Sequence, residues 1–357
     1  MRIGIVGAPN SGKTTIFNAL TRSATAATAY SSGQLEVHTA VVDVPDSRLD
    51  RLAQMFFPRK AVYAQVTYND IAGLTREIGR DGSIRGPLLN AIAGNDALLL
   101  VARAFQDPNV LHPNNRIDPA ADLAAMETEF LLNDMVTVEG RLERIAAQKS
   151  RGQLEERQRM AREEALLTRL YPLLEEGKHL RQVELGVDEL KMLGGFGFLS
   201  LKPLLRVVNG GDDDEEGMYP DLMGGETFLL RGRLEAEIAL MAPEEAADFL
   251  EEFGIAEQGL NRAIRRCYGV LGLISFFTIG DNEVRAWAVE AGAKAPEAAG
   301  VIHTDMQQGF IRAETIHFDS LMEAGSMAAA RSRGLLRLEG KEYEVQDGDI
   351  LNIRFNV

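Results

Sequence analysis

The chain opens on a short apolar run, Ile3-Gly-Ile-Val6, that stops at a glycine-rich turn; from Thr14 to Leu20 the apolar positions shift to helical spacing. That order predicts strand, loop, helix. Val62, Ala64, Val66 and Tyr68 alternate along the chain up to Asp70, which predicts one strand ending at a carboxylate. Ala97 to Ala102 and Leu204 to Val208 are near-continuous apolar runs. Runs of that kind suit strands covered on both faces of a parallel sheet. Phe228-Leu-Leu230 followed by Leu234-Glu-Ala-Glu-Ile238 is a second strand-to-helix passage, so an α/β unit lies on both sides of a long interruption.

That interruption, roughly residues 135–197, is almost all helix former. Leu131, Met135, Val138, Leu142 and Ile145 recur at steps of three and four, Ser150-Arg-Gly152 breaks the pattern, and Met160, Leu167, Leu170 and Leu174 resume it. The spacing predicts two long antiparallel helices, either a solvated pair packed on its neighbour or an arm that binds a partner. After about residue 272 the chain becomes a series of short β-rich segments, Ser275–Thr278, Val284–Val289, Phe310–Ile316, Leu335–Leu338 and Glu342–Val345, with turns at Glu339-Gly340 and Asp347-Gly348-Asp349 and a helical patch at Pro296-Glu-Ala-Ala299. A small mixed sheet with one helix, in the manner of ubiquitin, accommodates this. The expected domains are an α/β domain over 1–134 and 198–272, a helical insertion over 135–197 and a β-rich domain over 273–357. The acidic run Asp212–Glu216 reads as a solvated loop.

Length and composition agree with several folding units: 357 residues, 45% hydrophobic and 25% charged. A single cysteine, Cys267, forms neither an internal disulfide nor a thiolate metal cage and fits a reducing compartment. The opening residues have no signal or transit pattern, and no apolar run approaches bilayer length, so the cytoplasm is expected and no membrane partner. A net charge of −15 opposes broad binding to phosphate backbones. The best local basic surface is on the helical insertion, at Arg141, Arg144, Lys149, Arg151, Arg157 and Arg159, with Glu155 and Glu156 interleaved.

The chemistry is concentrated in Gly7-Ala-Pro-Asn-Ser-Gly-Lys-Thr14, which satisfies the phosphate-loop pattern G-x-x-x-x-G-K-[ST] between a predicted strand and a predicted helix. The expected phosphate-binding residues are Asn10, Ser11, Gly12, Lys13, Thr14 and Thr15. Glycine lets backbone N–H groups turn toward phosphate oxygens, Lys13 reaches the β- and γ-phosphates, and the Thr14 hydroxyl ligates Mg²⁺. Asp70-Ile-Ala-Gly73 places a carboxylate at the end of a strand, where Asp70 would hold the Mg²⁺ shell and the Gly73 N–H would meet the γ-phosphate. The next residue, Leu74, stands where many GTPases carry a water-orienting glutamine. Leucine cannot do that.

These motifs, together with VPDSRLDRLA, LEAEIA, EVRAWAV, APEAAGVIHTD, GFIRAE and DGDILNIRFNV, make the chain resemble the YchF family of Obg-like ATPases, within the translation-factor class of P-loop GTPases. The likeness runs over essentially the full length. It implies a P-loop NTPase domain with an inserted antiparallel helical coiled coil and a C-terminal ubiquitin-like (β-grasp, TGS) domain. It implies hydrolysis of ATP, often in preference to GTP, a hydrophobic residue after D-x-x-G, as Leu74 is, and a histidine in a mobile loop that assists hydrolysis. His112, in Asn109-Val-Leu-His112, matches that histidine; the alternative is a solvated loop histidine. Asn10 matches an asparagine that helps bind K⁺ in related cation-dependent GTPases.

Two regions depart from the family. Base recognition by N-K-x-D, or by the family's N-x-x-E, becomes Asn209-Gly-Gly-Asp212, where the two glycines remove side chains that would pack on the base, and the S-A-K-like motif becomes Arg231-Gly-Arg233. In switch I the family threonine aligns with Gln34, a poorer Mg²⁺ ligand for which Ser31, Ser32 or Thr39 could substitute, and the segment after Leu74 is altered over Arg76–Gly82. The expected function is a Mg²⁺-dependent purine nucleoside triphosphatase, using ATP and/or GTP, whose nucleotide state regulates binding to a large assembly, the ribosome or RNA, through the helical arm and the TGS-like domain. The alternative is a nucleotide-binding regulator with little or no hydrolysis. A metabolite kinase fits less well, since no acceptor-binding element is visible.

Overall fold

The computed structural model describes residues 1–22, 37–71, 86–148, 153–253, 255, 257–280 and 282–356. The described chain forms two compact units, Met1–Ala40 with Thr67–Leu260, and Val41–Val66 with Asn261–Val357.

The first unit is built on a sheet in the order β2-β4-β1-β5-β6-β7, with β1 at Arg2–Gly7, β2 at Val37–Asp43, β4 at Gln65–Ile71, β5 at Ala97–Arg103, β6 at Leu204–Asn209 and β7 at Thr227–Leu230. Strand β1 runs parallel to β4 and β5, β5 to β6, and β6 to β7. Every residue of β5 is buried, as its unbroken apolar run demands of a strand covered on both faces. Helix α1, Lys13–Thr21, and a later helix, Gly232–Leu240, pack against each other, and the parallel register places Asp70 beside Ile5 near the carboxyl end of β1. In such sheets ligands bind at the carboxyl ends of the strands.

Two long helices follow from the heptad-like stripe. The first, Pro119–Gln148, runs unbroken for 30 residues, about 45 Å at helical rise, so the expected limit at 134/135 falls inside one helix. Its early residues Leu123, Met126 and Phe130 pack on Val6, Leu98 and Leu100 of the sheet. Its later stripe, Leu131, Val138 and Ile145, packs on Leu166, Leu167, Leu170 and Leu174 of the return helix, Leu154–Glu175. Arg141 meets Glu163 across the pair at 2.5 and 3.0 Å, which takes Arg141 out of the free basic surface expected on the arm. Lys149 and Arg151 lie outside the described residues. We number these helices α4 and α5, after α2 (Ser47–Phe56) and α3 (Gly86–Ala93).

Two carboxylates, Asp134 buried and Glu127 largely so, tie α4 to what surrounds it. Asp134 accepts the N–H groups of Leu199 and Ser200, both at 2.8 Å, where the chain returns to the sheet. Glu127 gathers Arg206 of β6 at 2.6 and 2.9 Å, Arg181 at 2.5 Å and His179 at 3.1 Å. Burial alone would raise the Glu127 pKa, but the bonds from His179 and Arg206 and the charges of Arg206 and Arg181 outweigh it and hold the carboxyl at about 2.

The second unit carries a mixed sheet in the order β11-β10-β12-β8-β9-β3, from β3 (Lys60–Val62), β8 (Leu273–Ile279), β9 (Glu283–Glu290), β10 (Phe310–His317), β11 (Arg337–Glu339) and β12 (Asp349–Phe355). Strand β12 runs parallel to β8 while β8/β9 and β10/β12 are antiparallel, the β-grasp pattern, and the helix Ala295–Ile302 buries Ala295, Ala298 and Ala299 against Phe276, Phe310 and Leu351. Four expectations change here. The alternation at 62–68 is not one strand: β3 pairs with β9, where Lys60 lies opposite Glu283, whereas β4 pairs with β1. Residues 342–345 make only a bridge, Lys294 to Glu344, and the last strand lies instead at Asp349–Phe355. The sheet is accompanied by further helices at Thr304–Gln308, Phe318–Ala324 and Met327–Ser332. Residues 41–66, assigned from sequence to the α/β domain, pack with the C-terminal unit; Asp46 caps α2 by accepting the Arg48 N–H at 2.9 Å, and Arg48 reaches Asp347 at 2.7 Å.

Candidate active site

The loop between β1 and α1 is shaped by close approach. A Cβ on Gly7 would lie 2.2 Å from the Val101 carbonyl oxygen, and one on Gly12, at φ +91°, would lie 2.1 Å from the Asn209 amide nitrogen. Asn10 takes the left-handed backbone at φ 59°, which asparagine tolerates better than most residues. Helix α1 then starts at Lys13 with no side chain capping its first turn, so its N-terminal N–H groups are available to an anion.

Lys13 is buried and donates to the carbonyls of Gly7 at 3.0 Å and Ala8 at 2.8 Å. Burial pushes its pKa down to about 8, against the pull of the Asp70 carboxylate. The Thr14 hydroxyl donates to Asp70 Oδ2 at 2.8 Å. Asp70 is wholly buried and its Oδ1 has no hydrogen-bond partner among the described residues. Burial raises the Asp70 pKa, opposed by the Thr14 bond and the Lys13 charge. A buried carboxylate oxygen left unpaired is costly, so this atom is suited to a cation or to a water held by one. The Thr14 hydroxyl beside the Asp70 carboxylate is an all-oxygen donor set of the kind Mg²⁺ takes, with the rest of its shell supplied by water and phosphate. The residues present fit Mg²⁺.

Asn209 ends β6 and braces the loop. Its Nδ2 donates to the Ser11 carbonyl at 2.9 Å and its Oδ1 accepts the Gly232 N–H at 3.0 Å, so it joins the phosphate loop to the first residue of the helix Gly232–Leu240. Both partners approach so closely that a Cβ on Gly232 would sit 2.7 Å from Asn209 Oδ1. Asp212 is ion-paired with Arg233, and Arg231 donates to the Asp212 carbonyl at 3.2 Å, which brings Asn209-Gly-Gly-Asp212 and Arg231-Gly-Arg233 together. Gly210 has a packing reason: its Cβ would meet the Asp214 carboxylate and Leu229, each at 2.8 Å, and Asp214 in turn accepts the Tyr219 hydroxyl at 2.7 Å.

The loop after β5 carries His112. Arg103, almost fully buried at the end of β5, donates to the carbonyls of Phe105 at 3.1 Å and Val110 at 2.8 Å, and Asn10 Nδ2 donates to the Leu111 carbonyl at 2.9 Å. The loop is thereby fastened to the phosphate loop. His112 is not solvated: its side chain is 3% exposed, with Nε2 2.9 Å from Asp122 Oδ2 of α4 and Nδ1 accepting the Asn114 N–H at 3.2 Å. Neither Arg103 nor Asp122 was marked by motif. A signal existed for Arg103, since an arginine closing an otherwise apolar strand must find buried partners.

Gly73, Leu74 and Gln34 lie outside the described residues, as do Ser31 and Ser32. Thr39, a possible substitute for Gln34, donates to Asn69 Oδ1 at 2.7 Å. The remaining expected residues, Asn10, Ser11, Gly12, Lys13, Thr14, Thr15, Asp70 and Asn209, all belong to the phosphate loop, α1 or the strand ends beside them.

Comparison with known proteins agrees with this geometry. The family model described as 50S ribosome-binding GTPase matches residues 2–138, and the YchF GTPase C-terminal model, described as a protein of unknown function, matches residues 273–356. The chain is 38% identical to the Ribosome-binding ATPase YchF of Bacillus subtilis, over 99% of each chain, and 39% identical to that of Haemophilus ducreyi, over 100% of this chain and 99% of the other. It is 35% identical to Obg-like ATPase 1 of rice, over 100% of this chain and 92% of the other. The solved structure of the Schizosaccharomyces pombe YchF GTPase superposes with a TM-score of 0.85 at 30% identity, covering 99% of this chain and 97% of that one. With a phosphate loop, a β-grasp unit and full-length similarity in one chain, the protein belongs to the YchF family of P-loop nucleoside triphosphatases.

Proposed function

We propose that this protein is a slow, Mg²⁺-dependent purine nucleoside triphosphatase of the cytoplasm, using ATP and/or GTP, whose nucleotide state regulates docking on the ribosome. The observation that carries the reading is the buried, half-paired Asp70 carboxylate beside Thr14 and Lys13. Relatives named as ribosome-binding ATPases support ATP as substrate and the ribosome as partner. Among the described residues no helix is long and apolar enough to cross a membrane.

In this reading Lys13 leaves the Gly7 and Ala8 carbonyls for the β- and γ-phosphates, and the N–H groups from Ser11 to Thr15 surround them. Thr14 and Asp70 hold Mg²⁺, which when bound neutralises charge on the phosphate oxygens. Asn10 contributes to a K⁺ site, Gly73 meets the γ-phosphate, Asp212 and Asn209 stand at the base, and His112 orients the attacking water in place of the glutamine that Leu74 replaces. Equilibrium binding of labelled ATP and GTP, with and without Mg²⁺ and K⁺, tests this: binding that is indifferent to chelation of Mg²⁺ would remove the Asp70 assignment.

One observation favours the second reading, a nucleotide-binding regulator that hardly hydrolyses. His112 faces Asp122 and both its ring nitrogens are engaged. Single-turnover hydrolysis by the pure protein separates the two.

A further inference from the structure

Both ring nitrogens of His112 are spoken for. Nδ1 accepts the Asn114 N–H at 3.2 Å, so the proton is on Nε2, and Nε2 is 2.9 Å from Asp122 Oδ2 in a site where the two side chains are 3% and 6% exposed. An imidazole held this way has no free nitrogen with which to orient or deprotonate a water. The upstream half of the same loop is fastened elsewhere: Arg103 holds the carbonyls of Phe105 and Val110, and Asn10 of the phosphate loop holds the carbonyl of Leu111, the residue immediately before His112. The loop therefore has a nucleotide-side hold, ending at Leu111, and a helix-side hold at His112. The helix-side partner, Asp122, sits in the first turn of α4, the 30-residue helix that continues into the arm.

We propose that Asp122 is a positioning residue that holds His112 away from the reaction, and that the hydrolysis-competent state forms when His112 exchanges Asp122 for the nucleotide site. This rests on the reading of His112 as the water-orienting group. Storage and support make opposite predictions. If Asp122 supported a working His112, as carboxylates support histidines in catalytic triads, removing it would slow turnover. If it stores His112, removing it enlarges the competent fraction and turnover rises, because a state held back by a buried charge-assisted hydrogen bond is released. The storage bond would make turnover slow even in a chain whose phosphate loop is intact. It gives α4 a direct hold on the chemistry, since any shift of that helix alters the Asp122 bond.

The test uses the full chain with ATP and Mg²⁺ under single-turnover conditions. Asp122→Ala is expected to raise the rate by roughly three- to thirtyfold, and Asp122→Asn, which keeps the shape and one acceptor oxygen, by less, with ATP affinity little changed. In a His112→Ala background both substitutions are expected to be silent. A fall or no change in rate with Asp122→Ala, while His112→Ala is slow, overturns storage and leaves the catalytic histidine standing. Equal rates for wild type and His112→Ala overturn the catalytic reading itself. A second measurement needs no variant to fold: the imidazole Nε2–H signal of His112 in the wild-type chain should be slow to exchange without nucleotide and should be lost on saturation with Mg²⁺ and a non-hydrolysable ATP analogue. Its persistence in the saturated protein overturns the exchange.

Discussion

Asn209 donates from Nδ2 to the Ser11 carbonyl at 2.9 Å, so the residue placed by motif beside the base also holds the phosphate loop in shape. It does so from the end of β6 while accepting the Gly232 N–H. Asn209→Ala leaves a buried carbonyl and a buried N–H without partners, at about 1–3 kcal/mol each before relaxation. The expected outcome is a lower melting temperature and a similar loss of affinity for ATP, GTP and inorganic triphosphate, measured by calorimetry. A loss confined to ATP and GTP would make Asn209 a base reader alone.

Lys13 couples binding to protons. Its folded pKa of about 8 lies below the ordinary 10.5, so between those values the unfolded chain holds more protons and the free protein gains stability as pH rises. Triphosphate restores the charge, so ATP binding near pH 8.5 should take up a proton, seen as a dependence of the calorimetric enthalpy on the buffer. Lys13→Met should abolish the uptake and lower triphosphate affinity by a few kcal/mol, with the fold retained.

The parts of the site that sequence displayed are those made by contiguous backbone. A phosphate loop binds through successive residues, so Gly7 to Thr14 carry their chemistry in order, and Asp70 is marked by the strand it ends. The arm was legible because Leu131, Val138 and Ile145 form one face of a helix. What stayed hidden depends on partners distant in the chain. Alternation at 62–68 cannot say that Val62 pairs with Arg285 and Thr67 with Arg2. Nothing local marks Asp122 as the partner of His112, because an acidic residue in the first turn of a helix is ordinary in itself. Nor does Gly210 announce that it makes room for Asp214.

Asp212 and Arg233 form an exposed pair, with side chains 29% and 75% accessible, so breaking it should barely move the melting temperature. Their test is selectivity. Asp212→Ala should change the ATP/GTP affinity ratio several-fold and leave inorganic triphosphate unaffected, since a group that reads the base contributes only when the base is present. Equal losses for all three ligands would assign Asp212 to holding the loop with Arg233.

Glu127 sets part of the acid limit of the fold. A carboxyl held at about 2 and released to about 4.5 on unfolding contributes stability that is present above pH 4.5 and lost as pH falls through 2, amounting to about 3 kcal/mol. Glu127→Gln should be less stable at neutral pH and should show a correspondingly smaller loss between pH 4.5 and 2 in urea titrations. Parallel curves for the two proteins would show that His179, Arg181 and Arg206 do not depress its pKa.

The most direct test of the central claim, that this phosphate loop supports hydrolysis assisted by His112, is the single-turnover release of phosphate from ATP in Mg²⁺ and K⁺ by wild type and His112→Ala. Both proteins should bind ATP with nearly equal affinity, since His112 is held by Asp122 and Asn114 and acts only once it has moved. The wild type should release phosphate, and the variant should do so about ten- to a thousandfold more slowly. Equal slow rates, with binding established for both, would contradict the account and leave a nucleotide-binding regulator in its place.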